Sequence, residues 1–411
     1  MSETEAYPSG WAADVVLSDG GTAHLRPIRP DDASALVEFH SRLSSDTVYF
    51  RFFSPHPTLT NAEVERFTTV DYVDRMALVA ELDEQIIGVA RYDREDGTDE
   101  AEAAFVVADE HQGRGLGSLL LEHLAAAARA ARIVRLTATV LPTNQKMLGV
   151  FRDAGFVRTS RFDEGVVSVV LDIAPTPAWQ LAVDERDRRA SVRSIERLLR
   201  PRSVAVIGAS REPGTVGHAI FANVLAGGFE GAAYPVNAAT KHVSSIRAYS
   251  TVAEIADEVD LAIVAVPADQ VDDVVASCGA KGVKSVIIVS GGFADVGDAE
   301  HERRVVDLAH SHGMRLVGPN CIGIVNTAPD VQLHATFARA RPPAGRIAFS
   351  SQSGALGMTV LQDAARLGLG LSTFVSVGNK ADVSGNDLIQ FWEQDENTDV
   401  VLLYLESFGN P

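Results

Sequence analysis

The segment Ala104-Phe105-Val106-Val107, followed closely by Gln112-Gly113-Arg114-Gly115-Leu116-Gly117 and an Ala/Leu-rich run, constrains this chain most strongly. An apolar strand here runs into a glycine-rich turn that opens a helix. Such a turn gathers unpaired backbone N–H groups and the positive end of the helix dipole around one point. The expected occupant of that point is a diphosphate. A second strand, glycine turn and helix start follows at Val204–Gly217, so the pattern occurs twice.

Composition bounds what such turns serve. At 411 residues the chain exceeds one ordinary domain, and two or three are expected. A hydrophobic share of 46% with 22% charged residues is that of a globular protein. The formal net charge of −19 disfavours a nucleic-acid backbone as the main partner; it would suit cationic partners, lysine-bearing proteins among them, but solubility alone is the first reading of it. Two cysteines, Cys278 and Cys321, make no disulfide framework and fit a reducing compartment. The start Met1–Gly10 has no basic segment with an apolar core, and no apolar run reaches the roughly 20 residues of a membrane span. The expected location is cytoplasmic, with no membrane role and no metal.

The first stretch reads as a mixed, mostly antiparallel sheet with helices. Thr22–Ile28 predicts a strand, Pro30–Leu43 and Asn61–Thr68 helices, and Met76–Leu82 with Ile86–Tyr92 a hairpin about Asp83-Glu84-Gln85. Ala101–Val107, Arg135–Leu141 and Val166–Asp172 follow as strands, with helices at Ser118–Ala131 and Asn144–Ala154, the latter stopped by Gly155. The prolines at 175 and 177 then precede a charge-laced helix at Asp184–Leu199. Within it Arg188-Arg189-Ala190-Ser191-Val192 matches a basic kinase-site pattern but reads as one turn of solvated charge. Beyond Ser203, strict strand and helix alternation predicts a doubly wound parallel sheet from Val204–Ile207, Ala232–Val236, Leu261–Val266, Ser285–Val289 and Arg315–Val317. Another α/β unit opens at Arg346–Ser350 and offers three strands, so a longer natural chain is expected. The domain bounds so read are 14–173, a linker helix at 174–200, 201–340, and 345–411.

The first loop lacks the Gly-Lys-Ser/Thr of a nucleotide P-loop, having Gly117-Ser118-Leu119, and it follows an antiparallel meander rather than a parallel dinucleotide fold. With Gln112, Gly115 and Gly117 in a Gln-x-x-Gly-x-Gly pattern, then Asn144 and Gly155-Phe156, residues 14–173 resemble the GNAT acetyltransferase family. The resemblance implies a strand splayed from its neighbour, with Phe105 and Val107 pairing with the pantetheine of acetyl-CoA. It implies a pyrophosphate held at Gln112, Gly113, Arg114, Gly115, Leu116, Gly117 and Ser118, with Asn144 nearby. Acetyl transfer to a lysine, with a pKa of about 10.4, needs a base to take its proton. Candidates are Glu100, Glu102, Asp109, Glu110 and His111; the resemblance places the family's glutamate at Glu102, where partial burial would raise its pKa. Phe151 stands where many members carry a tyrosine acid, leaving water to protonate the thiolate. Ser44–Phe53, in which Tyr49-Phe50-Arg51-Phe52 fills a Tyr-x-Arg-Phe pattern, is similar to a segment of bacterial protein acetyltransferases fused to synthetase-like domains.

The second loop spaces its glycines at 208, 214 and 217, unlike a dinucleotide fingerprint, and Tyr234-Pro235-Val236-Asn237 lacks the acidic residue that holds an NAD ribose. With Val266-Pro267, Ser290–Phe293 and Gly318-Pro319-Asn320-Cys321-Ile322-Gly323, it resembles the CoA-binding domain of NDP-forming acyl-CoA synthetases. That implies CoA contacts at Gly208, Ala209, Ser210, Asn237, Pro267 and Asn320. Ser350–Gly354 and Gly378-Asn379-Lys380 match the superfamily's flavodoxin-like second domain. The phosphohistidine of that reaction has no match here, since His334 lies in unrelated surroundings, and no ATP-grasp portion is visible.

Fusion of the two resembles the Pat-type bacterial protein lysine acetyltransferases. The implied activity is acetyl transfer from acetyl-CoA to lysines of proteins, acyl-CoA synthetases among them, with the synthetase-like region as acyl-CoA sensor. Two other readings stay open: part of an NDP-forming acyl-CoA synthetase, and a non-enzymatic acyl-CoA-binding module.

Overall fold

The computed structural model describes residues 7–407. The chain divides into two compact units at Arg189/Ala190.

The first unit is built on an eight-stranded sheet of order β1-β2-β3-β4-β5-β6-β8-β7. Its strands are β1 (Ala13–Val16), β2 (Thr22–Pro27), β3 (Arg75–Leu82), β4 (Gln85–Arg94), β5 (Glu100–Val107), β6 (Arg135–Val140), β7 (Val157–Asp163) and β8 (Val166–Asp172). Neighbours are antiparallel except β5 and β6, which run parallel. Helices α1 (Ala33–Arg42), α2 (Ser45–Phe52) and α3 (Asn61–Thr68) cover one face, while α4 (Leu116–Ala130) and α5 (Gln145–Asp153) cover the other. Strand alternation makes this two-sided cover possible: Ala77, Val79 and Val89 meet Leu36 and Phe39, whereas Met76, Leu78 and Ala90 meet Leu120 and Leu124. The helix expected from Pro30 begins as a 3₁₀ turn, Pro30–Asp32, because Asp32 folds its carboxylate back onto Arg26 and the Arg29 N–H.

Helix α6 (Pro177–Leu199) starts in this unit. Trp179 stacks on Phe156 at 5.9 Å, and Arg186 pairs with the buried Glu122 of α4. Gly155 has φ +78°, and a Cβ there would lie 2.7 Å from the Trp179 Cα, so only glycine lets α6 approach this turn.

The second unit holds the end of α6 and two larger sheets. The first is fully parallel, order β10-β9-β13-β14-β15, from β9 (Ser203–Ile207), β10 (Ala232–Val236), β13 (Leu261–Val264), β14 (Ser285–Ile288) and β15 (Arg315–Val317). Helices α7 (Val216–Gly227), α8 (Val271–Lys281) and α9 (Ala299–Ser311) alternate with these strands, and a two-strand ladder, β11 (His242–Val243) and β12 (Ile246–Arg247), follows β10. Strands buried at every position explain their unbroken apolar runs.

The second sheet corrects the sequence reading. It has five strands rather than three, order β17-β16-β19-β18-β20, because the hairpin β16 (Gly323–Asn326) and β17 (Leu333–Thr336) pairs antiparallel with β19 (Leu371–Ser376). β18 (Ala344–Ser351) and β20 (Val400–Tyr404) run parallel to β19, with α10 (Gly354–Leu367) and α11 (Gly385–Gln394) between them. Thus residues before the Pro342-Pro343 turn belong to this sheet. A buried network joins its loops to β15. Arg315 donates to both Asp382 oxygens at 3.0 Å and to Ser194 Oγ at 2.9 Å, and lies 3.4 Å from Asp387. Ser191 is buried too, its hydroxyl donating to Asp387 at 2.9 Å, so the Arg188–Val192 segment presents no accessible serine and is not a fully solvated turn. Among the described residues, no helix is long and apolar enough to cross a membrane.

Candidate functional site

The first site forms where β5 parts from β6. Their ladder consists of Glu100↔Arg135, Ala101↔Leu136 and Glu102↔Thr137, while β4 follows β5 to Val107. Since the Ala108 N–H bonds the Ile87 carbonyl at 2.9 Å, alternation turns the main-chain groups of Phe105 and Val107 away from β4, toward the gap. Phe105 meets Phe151 edge-on at 5.8 Å, and Phe151 is buried, so the late helix puts no phenol here.

The glycine loop follows at the end of β5. Gly113 and Gly115 both have φ +80°, and Gly115 caps α4 in the left-handed region. A Cβ at Gly115 would lie 3.3 Å from Ser18 Cβ, and the Ser18 N–H bonds the Arg114 carbonyl at 3.0 Å, so the β1–β2 turn braces the loop. Several expected contacts are limited to main chain. The Arg114 guanidinium donates to Asp19 at 2.9 Å and lies 2.8 Å from His111 Nδ1. Leu116 sends its side chain into the core. Asn144 caps α5, its Oδ1 accepting the Met147 N–H at 3.1 Å. The Gln112 amide donates to the Val107 carbonyl and to Thr47 Oγ1, both at 3.2 Å, while its Oε1 accepts from Lys146 Nζ at 2.8 Å. Asp109 accepts from the N–H and hydroxyl of Ser44 and from Thr47, so α2 is fastened to the loop at two points. Among the residues named for the diphosphate, what is left to offer is the row of main-chain N–H groups from Gly113 to Gly117, since the Ser118 N–H already bonds the Gly115 carbonyl at 3.1 Å.

Glu102 occupies the α1–α3 face of the sheet. Register sets Arg75, Asp93, Glu102 and Thr137 in one row across β3, β4, β5 and β6. Two carboxylates directly opposed repel, and Arg75 answers part of this through its 2.9 Å bond to Asp93. Arg51 of α2 feels the field of Glu102; burial lowers its pKa, and the Glu102 and Asp93 carboxylates partly restore it. Burial likewise pushes Arg91 down to about 10. Glu102 itself is exposed, against the partial burial expected for it. The sequence singled out Tyr49–Phe52 without indicating that α2 would set Arg51 beside this row.

The second unit places its glycine loop at the switch between β9 and β13, where strand order reverses. Gly208 has φ +90°, and a Cβ there would overlap the Ala265 carbonyl; one at Gly217 would overlap the carbonyl of Gly208. The turn is therefore closed tightly onto α7. Asn237 donates to the Ala209 carbonyl at 2.7 Å, and Ser210 Oγ accepts the Glu212 N–H at 3.0 Å, so both side chains shape the loop. Pro267 follows β13 at the start of a 3₁₀ turn. Asn320 is tied to the loop after β14, its N–H bonding the Ser290 carbonyl at 2.9 Å. It lines a cleft of about 630 Å³ between the two sheets' loops, with Asp295, Ser353, Gly354 and Asn379. His334 is buried on β17, and burial pushes its pKa down to about 4, so the ring stays neutral and inaccessible.

Three family models match the chain. Residues 43–156 match the acetyltransferase (GNAT) family, 202–327 a CoA binding domain, and 344–411 a succinyl-CoA ligase like flavodoxin domain. The acetyltransferase Pat of Mycolicibacterium smegmatis is 35% identical over 164 residues, 39% of this chain and 49% of that protein. The chain has the Pat-type architecture. An ADP-forming acetate–CoA ligase of Methanocaldococcus jannaschii is 42% identical over 206 residues, 50% of this chain and 29% of that protein. The dinucleotide-forming acetyl-coenzyme A synthetase 1 of Ca. Korarchaeum cryptofilum, solved with phosphate and ADP, is 42% identical, with a TM-score of 0.51 over 52% of this chain and 46% of that one. The chain thus spans less than half the length of each of these proteins. In this Pat-type chain an acyltransferase domain precedes CoA-binding and synthetase-like domains.

Proposed function

We propose that the chain transfers an acetyl group from acetyl-CoA to lysine side chains of other proteins, acyl-CoA synthetases among them, and that its second unit senses acyl-CoA. The observation that carries this reading is the place of Glu102. It lies in the last paired position before β5 and β6 diverge, on the strand that leads to the glycine loop. The open edge at Phe105 and Val107 suits pantetheine amides, and the N–H row at 113–117 suits a diphosphate.

Glu102 accepts the proton of the incoming ammonium, freeing the amine lone pair for the thioester carbonyl carbon. The new C–N bond forms as the C–S bond breaks, and the nitrogen gives up its second proton to solvent to leave the neutral amide. Phe151 offers no proton, so solvent protonates the departing thiolate. Incubation with acetyl-CoA and a purified acyl-CoA synthetase is expected to acetylate lysines of the synthetase. No acetylation of any protein, from a synthetase or a cell lysate, would remove this reading.

The likeness of the second unit to ADP-forming ligases supports a second reading, a component of such a ligase. It requires ATP-dependent thioester formation when the remaining synthetase parts are supplied. Calorimetry checks the sensor role: two CoA sites per chain are expected, with Gly115→Glu abolishing one and leaving the other. A single site, lost in Gly115→Glu, would make the Gly208 loop purely architectural.

A further inference from the structure

We propose that Lys146 is the cation that binds the CoA diphosphate at the glycine loop, and so sets the preference for CoA over shorter pantetheine donors; this rests on the acetyltransferase reading. A helix start offers N–H donors, but a diphosphate carries full negative charge and calls for a cation as well. The loop's own cation, Arg114, is held by Asp19 at 2.9 Å and His111 at 2.8 Å. Lys146 is exposed, and its ammonium lies 2.8 Å from Gln112 Oε1. Gln112 is itself fixed by Val107 and Thr47, so the ammonium is tethered beside the loop by a neutral partner that leaves its charge uncompensated.

Two further observations separate this lysine from an ordinary surface residue. It is the second residue of α5, where a cation opposes the helix dipole, so helix stability does not account for it. It is also the sole lysine of residues 1–189; the whole chain has five among 36 lysines and arginines. Elsewhere in this unit positive charge is supplied by arginine, whose planar fork suits carboxylates. A compact ammonium with three rotatable donors adapts to a diphosphate as a point charge.

Lys146→Met is expected to raise the KM for acetyl-CoA at least tenfold while kcat stays within twofold, with Lys146→Arg restoring most of the loss. The KM for acetyl-pantetheine, which lacks the diphosphate, should be equal in wild type and Lys146→Met. Because the unit has one lysine, reductive methylation followed by mass spectrometry reads its exposure directly: CoA should protect Lys146 and pantetheine should not. Equal protection by both, or an unchanged KM for acetyl-CoA, would overturn the proposal. Protection by CoA in a protein that acetylates nothing would uphold Lys146 while removing the transferase reading.

Discussion

Glu102→Gln is expected to lower the rate of lysine acetylation at pH 7 by about 10²- to 10⁴-fold, the range a positioned general base contributes. The amide keeps the size of the side chain and its exposed place beside Arg51, Asp93 and Thr137, so the fold should be unaffected. What it loses is the ability to take a proton. The variant then depends on amine already neutral in solution, roughly one in 2,500 at pH 7 for a lysine of ordinary pKa. Its rate should therefore climb about tenfold per pH unit up to pH 9, narrowing the gap to wild type. Acetyl-CoA binding, measured by calorimetry, should stay the same. A variant within a few-fold of wild type at pH 7 would show that solvent or another group takes the proton.

The second large effect concerns stability. Arg315→Ala is expected to destabilise the second unit by about 3–5 kcal/mol at pH 7, as measured by urea unfolding, because it leaves buried carboxylates without their cation. Arg315 is 3% exposed and binds Asp382, which also accepts the Leu316 N–H at 2.7 Å and lies 3.3 Å from His310. Burial alone would raise the Asp382 pKa, but the Arg315 guanidinium and His310 hold it well below the usual carboxylate range. The sign follows from that direction. The contribution is present above the unfolded value of about 3.9 and is lost as the pH falls toward the folded value. The deficit of Arg315→Ala should therefore shrink below about pH 4. Adding Asp382→Ala should recover part of the loss at pH 7. A deficit under about 1 kcal/mol at pH 7 would mean water reaches this network.

Local chemistry made much of this molecule legible from residues alone. Gly113, Gly115 and Gly208 all carry the positive φ that the two turns need, and the buried strands β9, β13 and β14 announce themselves by unbroken apolar runs. Relations across the chain were less visible. The hairpin β16–β17 is short, and its membership of the second sheet depends on pairing with β19, some 50 residues later. Gln112, Arg114 and Asn144 fit a binding pattern by type, yet their side chains turn to Val107, Asp19 and Met147, partners no local spacing reveals. Burial of Glu102 failed as an expectation because a strand position does not reveal how closely other elements pack over it. Lys146 carried no signal of its own except scarcity.

The gap between β5 and β6 has a thermodynamic side. Past Glu102 the edge of β5 lacks a neighbouring strand among the described residues, apart from the Gln112 amide on Val107. A ligand that pairs with that edge acts as a missing strand and binds only the folded state. By mass action, a free concentration one hundred times its Kd adds about 2.7 kcal/mol to the stability of the domain. The melting point of the first unit then becomes a gauge of how much such ligand surrounds it, and scarcity of acyl donor is felt as a looser fold before it is felt as a slower reaction.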